Sequence, residues 1–395
     1  MSVGIEAIEY YLPERFMSSG EIASNFGFDL QFVEEKIGVK KIYIAGENEK
    51  TSDLAVAAIK KLFKKRPDIK ERINVIVVCT QTPDYQLPHT SALVQKKLGL
   101  SMDVACFDIG LGCSGFLYGL SVVKAFMEDN EMEYGILVTA ETYSKIINVR
   151  DKNTKPLFSD AAAATLIGRK PYLTPLKFTF GTNGNSYESV IVRSSESLFM
   201  DGRGIFEFVA TVVPDDLKRC LEINSLKIGD IDYFVFHQAS NFMLDTLSKK
   251  IGISGDHRVL KCLDRFGNTV SSSIPIAITT MLDESNHKNQ KILISGFGVG
   301  LSWASTILLT KGEYKMSDEI YQKIEQIMKE NIQSVKGIHK DANLRKDVEL
   351  DSLDTINFFF EVERTFGITI SEADITEKNL LSIRELIEYI NKKIN

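Results

Sequence analysis

Short runs of consecutive apolar residues are the feature that most constrains the fold. Asn74 to Thr80 (NVIVVCT) and Gly135 to Ala140 (GILVTA) lack the polar alternation of a half-exposed strand, which is typical of parallel strands buried on both faces. Similar runs recur at Tyr233 to Phe236 and Lys291 to Ser295. Segments such as Ser52 to Phe63 place apolar residues at helical spacing between or beside them. Covered strands that alternate with helices predict a layered α/β body.

The last fifth of the chain has a different pattern. Around Lys311 to Asp318 (KGEYKMSD) the strand-rich sequence gives way to a polar stretch. Asp318 to Ile332, Thr355 to Phe366 and Ser382 to Ile394 then show the spacing of amphipathic helices. Almost all of the net charge of -6 belongs to this part. We therefore expect two domains, residues 1–313 and 318–395, of which the second is helical and acidic.

Composition excludes several classes of protein. The 395 residues are 44% hydrophobic and 25% charged, a balance typical of soluble globular proteins. No apolar run approaches the roughly 18 to 20 residues of a membrane helix, and the first residues lack a secretory signal pattern. The acidic balance disfavours nucleic acid as a partner. Five widely spaced cysteines and five histidines show neither a disulfide framework nor metal-ligand spacing. We expect a cytoplasmic protein that binds no metal, nucleic acid or membrane.

One cysteine occupies a position suited to chemistry. Cys113 lies in DIGLGCSGFLYGL, where a glycine-rich bend leads from an apolar strand into a helix. A thiol at the positive end of a helix dipole is expected to have a lowered pKa, which raises its reactivity. The alternative is a buried structural cysteine, which is what we expect for Cys79, Cys106, Cys220 and Cys262.

Three other motifs supply partners for this thiol. His237 directly follows an apolar strand in DYFVFHQAS, and Asn268 lies in the polar turn of DRFGNTVSSSIP. Taken singly, a histidine at a strand end or an asparagine after glycine is more often structural. Ser295 to Ala304 (SGFGVGLSWA) is a glycine-rich stretch that can present backbone N–H groups to an oxyanion. Together the motifs supply a candidate nucleophile, two candidate polar partners and a candidate oxyanion site.

These motifs resemble those of the thiolase-fold ketoacyl synthases, and specifically the ketoacyl-acyl carrier protein synthase III group. GCSGF, HQAS, FGNTVSSSIP and GFGVGLSW follow one another in that family's order, over essentially residues 1–311. TPDYQLP, FSDAAAA and MDGRGIFEF are further similarities. The resemblance implies a thiolase-like five-layer α-β-α-β-α body that forms a homodimer.

The resemblance also implies roles for particular residues. Cys113 is similar to the acyl-accepting nucleophile, and His237 with Asn268 to the pair that polarises a malonyl thioester and stabilises its enolate. The backbone N–H groups of Cys113 and Val299 are implied to hold the tetrahedral oxyanion. Acyl-coenzyme A and malonyl thioesters are the implied substrates.

The sequence departs from the family pattern where coenzyme A binds. Phe32 and Lys36 stand where the family often has a tryptophan and an arginine that clamp adenine. Phenylalanine can still stack, but lysine lacks the planar fork of arginine. Leu87 matches a position that often reaches the partner subunit's acyl pocket.

The basic surface on which a carrier protein docks is only partly present. Lys249 and Lys250 match family positions after the HQAS motif. Glu207 and Phe242 occupy places where the family often has basic groups. We therefore expect weak docking of a free carrier.

The tail resembles an acyl carrier protein over about residues 317–395, which implies a four-helix domain. In VELDSLDTINFFFEVERTFG, Ser352 fills the position that receives 4′-phosphopantetheine from a phosphopantetheinyl transferase. The alternative is an ordinary helix N-cap serine. Glu349 replaces the glycine often found three residues before this serine. Tethering the carrier to the synthase raises the effective concentration of the carrier-bound substrate. This gain requires that the arm can reach a synthase site, either in its own chain (in cis) or in another copy (in trans).

Three functions stay open at this level. The leading hypothesis is a decarboxylating Claisen condensation of an acyl primer with a malonyl thioester on a carrier. The second is an acyltransferase that moves an acyl group without forming a carbon–carbon bond, and the third is a non-catalytic carrier and docking protein. Asn268 favours the first, because enolate stabilisation needs two donors. A hydroxymethylglutaryl synthase resembles the site too, but its glutamate acid/base is not located.

Overall fold

The computed structural model describes residues 3–193, 196–284, 289–311, 316–331, 342–345, 348, 350–377 and 380–394. The chain divides into two compact units, the body (Met1–Lys311) and the C-terminal unit (Gly312–Asn395).

All described strands belong to the body. They are β1 (Gly4–Tyr11), β2 (Phe16–Ser18), β3 (Lys41–Tyr43), β4 (Ile73–Cys79), β5 (Ala105–Ile109), β6 (Tyr134–Glu141), β7 (Ala161–Gly168), β8 (Leu173–Pro175), β9 (Thr179–Thr182), β10 (Val190–Ile191), β11 (Phe199–Met200), β12 (Tyr233–Phe236), β13 (Lys291–Gly298) and β14 (Ser302–Thr310).

The described α-helices are shared between the units. Those of the body are α1 (Ser19–Phe26), α2 (Thr51–Lys65), α3 (Thr90–Leu98), α4 (Gly115–Asp129), α5 (Gly202–Ile223), α6 (Asn241–Lys250), α7 (Leu263–Phe266) and α8 (Ser273–Glu284). Those of the C-terminal unit are α9 (Met316–Asn331), α10 (Ser352–Phe366), α11 (Glu372–Glu377) and α12 (Ile383–Ile394). No helix in these described ranges has the length and apolarity needed to cross a membrane.

The main sheet contains a duplication that the sequence does not reveal. Its first half has the order β5-β4-β6-β7-β1, in which β4 is parallel to β5 and β6, and β7 is antiparallel to both neighbours. The second half has the order β12-β13-β14-β8, with Val259 forming a parallel bridge on the outer side of β12 in the place that β5 takes in the first half. As in the first half, the next pair is parallel (β12 and β13), and β14 is antiparallel to both of its neighbours. β1 and β8 join the halves through one residue pair, Ile5 and Leu173.

Helices cover each half-sheet on both faces. α2 and α3 pack on the first half, and α5 and α6 on the second. α4 and α8 lie in one core with strands of both halves and form the central layer. Gly119 of α4 permits this close packing, because a Cβ there would lie 2.6 Å from a methyl carbon of Leu137. The predicted five-layer α/β body is confirmed.

The C-terminal unit has its own apolar core. α10 and α12 each pack on α9, and Ile324, Met328, Phe358, Val362 and Ile390 are fully or almost fully buried among them. α10 begins after the N-cap Asp351 and ends at Gly367, whose φ of 64° is a left-handed C-cap that glycine adopts without strain. The helical architecture predicted for the tail is confirmed.

Candidate active site

A cavity of about 560 Å³ in the body brings together side chains that are far apart in the sequence. Cys113, His237, Asn268 and Val299 all line it, as the sequence predicts. Its remaining wall is largely apolar. Within the described part of the chain, no three His, Cys, Asp or Glu side chains gather as a metal site would require.

Cys113 lies between the end of β5 and the start of α4, and only 7% of it is exposed. The glycine-rich turn at the end of β13 packs directly against it. A Cβ on Gly296 would lie 2.6 Å from the Cys113 carbonyl oxygen, and one on Gly298 would lie 3.0 Å from its Sγ. Only glycine at these positions allows the turn to approach the sulfur so closely.

The expectation of a lowered thiol pKa is wrong. Burial, followed by the nearby Glu141 carboxylate, raises the pKa of Cys113 to about 12. The backbone N–H groups of Cys113 and Val299 act in the opposite direction but do not outweigh desolvation. The resting protein therefore holds a neutral thiol. Both N–H groups are close enough to the sulfur to stabilise negative charge there.

His237 directly follows β12 and is held on three sides. Its backbone N–H donates to the Ser295 carbonyl oxygen at 2.8 Å, and its Nδ1 lies 2.7 Å from Ser273 Oγ. The Phe297 ring packs edge-to-face on the imidazole, with centroids 5.8 Å apart. Burial lowers the pKa of His237 to about 3, so the ring is neutral at pH 7. Nε2 makes no hydrogen bond within the described residues.

Asn268 is fixed through its backbone and through its amide. Its N–H donates to the Leu157 carbonyl oxygen at 3.0 Å, and its own carbonyl accepts from Ser159 N–H at 2.8 Å. Its Oδ1 accepts from Val270 N–H at 3.0 Å, so the Nδ2 hydrogens are the ones left for a ligand. Val270 has a φ of 51°, which is strained for a β-branched residue. The strained residue, Val270, is thus the one whose N–H orients the Asn268 amide.

Tyr143 is a wall residue that the sequence analysis missed. It is buried beside Cys113 in a small apolar cluster. Its hydroxyl donates to Gln81 Oε1 at 2.6 Å, and its ring centroid lies 5.1 Å from that of Phe158. The available signal was its position two residues after β6, because polar or aromatic groups at strand ends often face a site.

Glu141, the last residue of β6, was also missed. It is fully buried and accepts hydrogen bonds from Gln81 N–H at 3.1 Å, Thr82 Oγ1 at 2.9 Å and Ser271 Oγ at 3.1 Å. Burial raises the pKa of this carboxyl to about 8 despite those donors. Glu141 thus ties the TPDYQLP segment to the serine-rich turn after Asn268.

Aromatic side chains form the mouth of the cavity. Phe32 is 44% exposed, and Phe242 is 53% exposed and stacks on Phe206 with centroids 5.3 Å apart. Lys36 is exposed in the same short helical segment as Phe32 but does not line the cavity. Among the basic docking candidates, Lys249 and Lys250 are exposed at the end of α6 and also lie outside the lining.

Leu87 lies apart from this site within the chain. It is 85% exposed and lines a different, open cavity with Tyr85 and Asp108. The prediction that it enters a partner subunit's pocket stays a prediction.

Ser352 is the first residue of α10. The N-cap of this helix is Asp351, whose side chain accepts from Asp354 N–H at 2.7 Å. The alternative that Ser352 itself caps the helix is therefore wrong. Ile356 and Phe360, one turn apart on α10, are 66% and 64% exposed.

Comparisons with known proteins agree with this geometry. Residues 107–184 match the family described as 3-oxoacyl-(acyl-carrier-protein (ACP)) synthase III, and residues 221–310 match its C-terminal domain. The chain is 31% identical over 320 residues to β-ketoacyl-(acyl-carrier-protein) synthase III of Streptococcus gordonii, covering 77% of this chain and 98% of that protein. The chain belongs to the β-ketoacyl-acyl carrier protein synthase III family.

Solved structures of synthase III proteins superpose on the body. The Thermus thermophilus enzyme is 31% identical, with a TM-score of 0.73 over 78% of this chain and all of its own chain. The priming β-ketosynthase of the R1128 polyketide pathway is 25% identical, with a TM-score of 0.72 over 79% of this chain and 97% of its own. These similarities stop at the body of this synthase III. Residues 318–390 match a separate family, the phosphopantetheine attachment site.

Proposed function

We propose that this chain catalyses the decarboxylating condensation of an acyl primer, held on Cys113, with a malonyl thioester on a carrier protein. The observation that carries the proposal is the pair of hydrogen-bond donors that line the same cavity as the thiol. Asn268 Nδ2 and His237 Nε2 are both without protein partners in the described residues, and their other polar atoms are occupied. Two donors at one oxygen stabilise an enolate, which simple acyl transfer does not form.

In the first step, the sulfur of Cys113 attacks the carbonyl of an acyl-coenzyme A thioester. A new C–S bond forms, the old one breaks, and the departing thiolate takes up the proton that Cys113 loses. The N–H groups of Cys113 and Val299 hold the tetrahedral oxyanion. Because the thiol is neutral at rest, its deprotonation accompanies attack rather than preceding it.

In the second step, a malonyl thioester places its carbonyl oxygen against His237 and Asn268. The bond to the carboxylate breaks, carbon dioxide leaves, and the electron pair forms an enolate that both donors stabilise. The enolate carbon attacks the acyl-Cys113 carbonyl. The Cys113 thiolate leaves and takes a proton from water, and a β-ketoacyl thioester is released for fatty acid or polyketide-type synthesis.

We propose a short acyl primer. Tyr143, fixed at its hydroxyl by Gln81 and at its ring by Phe158, closes the apolar side of the cavity beside Cys113. In a homodimer, Leu87 of each protomer completes the partner's pocket. Because the chain has five free cysteines within the described residues, a reducing compartment such as the cytoplasm suits it.

We propose that residues 1–313 and 318–395 act as synthase and carrier domains. A phosphopantetheinyl transferase would attach 4′-phosphopantetheine to Ser352, where the phosphodiester lies at the positive end of the α10 dipole. The tethered carrier serves its own body or another copy. The docking surface comprises the aromatic mouth with Phe32 and Phe242, flanked by Lys36, Lys249 and Lys250.

Peptide-resolved mass spectrometry of the phosphopantetheinylated protein tests this proposal. The protein is exposed to a series of acyl-coenzyme A primers, and malonyl-coenzyme A follows together with a malonyltransferase that loads malonyl onto the Ser352 arm. We expect acyl mass on Cys113 and then a β-ketoacyl mass on the Ser352 arm, with loss of carbon dioxide. An unchanged acyl group on the arm would instead establish an acyltransferase, and absence of acylation from every primer would refute the first step. A Cys113→Ala variant that still forms full product would show that the body is a non-catalytic docking domain.

A further inference from the structure

Three consecutive serines after Asn268 have three different partners. Ser271 Oγ donates to Glu141 Oε1 at 3.1 Å, and Ser272 Oγ donates to the Thr139 carbonyl oxygen at 3.0 Å. The third serine, Ser273, begins α8 and lies with its Oγ 2.7 Å from His237 Nδ1. All three serines are buried. The first two tie the turn to β6, whereas the third contacts the site.

The direction of the Ser273–His237 hydrogen bond follows from counting donors and acceptors. A serine hydroxyl has one hydrogen, and the Ser273 side chain makes no other hydrogen bond within the described residues. If Nδ1–H donated, the buried hydroxyl hydrogen would have no acceptor, which is unfavourable. If the hydroxyl donates to Nδ1, both groups are satisfied. The imidazole proton then lies on Nε2, the nitrogen that has no partner in the described part of the protein.

We infer that Ser273 is a positioning residue that holds His237 in the Nε2–H tautomer, so that His237 donates a hydrogen bond to the malonyl thioester oxygen. The catalytic consequence of this inference rests on the proposed function. The assignment of the tautomer rests only on the hydrogen bonds around His237 and Ser273. During decarboxylation the breaking carbon–carbon bond sends its electron pair toward the thioester oxygen. Carbon dioxide leaves, and the Nε2 proton stays on His237 throughout. Acylation of Cys113 uses backbone N–H groups and does not need this tautomer.

The kinetic test separates the two steps in the full-length protein. Ser273→Ala removes the hydroxyl, Ser273→Thr keeps it, and Ser272→Ala is the matched control that removes a neighbouring buried hydroxyl bonded to Thr139. Acylation of Cys113 is followed by intact mass with acetyl-coenzyme A, and decarboxylation by carbon dioxide released from malonyl-coenzyme A. We expect Ser273→Ala to slow decarboxylation by at least about tenfold, but by less than the roughly 10²- to 10³-fold cost of deleting an oxyanion donor.

The same variant should change the rate of Cys113 acylation by less than about twofold, with the loss in kcat rather than in KM. Ser273→Thr should recover most of the decarboxylation rate, and Ser272→Ala should leave the ratio of the two rates unchanged. Equal slowing of both steps by Ser273→Ala, or the same loss in Ser272→Ala, would mean a merely structural role and would overturn the inference.

A spectroscopic measurement keeps the inference testable if Ser273→Ala does not fold. Nitrogen-15 NMR of histidine-labelled parent protein distinguishes a protonated from an unprotonated ring nitrogen. We expect His237 to show an unprotonated Nδ1 and a protonated Nε2 at pH 7, and a proton on Nδ1 would refute the assignment. If the parent releases no carbon dioxide from any malonyl thioester, the proposed function fails while the tautomer is still read directly.

Discussion

Glu141→Gln should remove a pH dependence of stability that the buried carboxyl imposes on the body. Burial raises the pKa of the Glu141 carboxyl from its ordinary value near 4.5 to about 8. A carboxyl whose folded pKa is raised favours the folded state fully below its unfolded pKa. That contribution is lost as pH rises from about 4.5 toward 8, because the unfolded chain ionises first.

The magnitude follows from the two pKa values. Each pKa unit corresponds to about 1.36 kcal/mol, so between pH 5 and pH 7 the parent should lose about 2.5 kcal/mol at this site. Glutamine is neutral at every pH and has no such loss. The glutamine amide N–H groups would face the donors that now reach Glu141. This mismatch lowers the free energy of unfolding by about 1 to 3 kcal/mol, by the same amount at every pH. The difference in unfolding free energy between variant and parent should therefore shift by about 2.5 kcal/mol in the variant's favour.

Urea unfolding at pH 5, 6 and 7 measures this difference. Trp303 is the chain's single tryptophan and lies in β14, so its fluorescence reports the body. Thr165→Val is the matched control, because it removes a buried hydroxyl that has no hydrogen-bond partner among the described residues and titrates nothing. Its difference from the parent should be the same at each pH. A Glu141→Gln difference that stays constant from pH 5 to pH 7 would show that Glu141 is ionised in the folded protein, and the reasoning would fail.

Four further outcomes are expected. Because the pKa of Cys113 is raised to about 12, its alkylation by iodoacetamide should keep rising from pH 7 to pH 9, by less than tenfold per unit because Glu141 ionises in this range, and a plateau would contradict this. Tyr143→Leu should raise acylation by hexanoyl-coenzyme A relative to acetyl-coenzyme A at least about tenfold, whereas Tyr143→Phe, which loses only the bond to Gln81, should not. Condensation by the full chain should change less than about twofold between 50 and 500 mM salt, and Phe242→Lys should make it salt-sensitive; a steep dependence in the parent would exclude apolar docking. Ser352→Ala should take up no phosphopantetheine mass, and modification of that variant would place the arm elsewhere.

Much of the site is readable from the sequence because its signals are local. Cys113 and His237 each lie in a short motif after a strand, and Asn268 lies in a polar turn directly after a glycine. The acidic helical tail is equally visible, since helical periodicity and the residues around Ser352 need no distant partner. These features identify the family, the two kinds of domain and the candidate chemical groups.

The tertiary structure decided how those groups behave. A helix start predicts a lowered pKa for Cys113, but burial and the Glu141 carboxylate, which the fold places nearby, raise it. Ser273 gains a role only because α8 brings its hydroxyl to His237, 36 residues away in sequence. The duplicated half-sheets are likewise invisible in the sequence, since different side chains can build the same strand order. Desolvation and long-range hydrogen bonds depend on which surfaces meet, and that information exists only once the chain has folded.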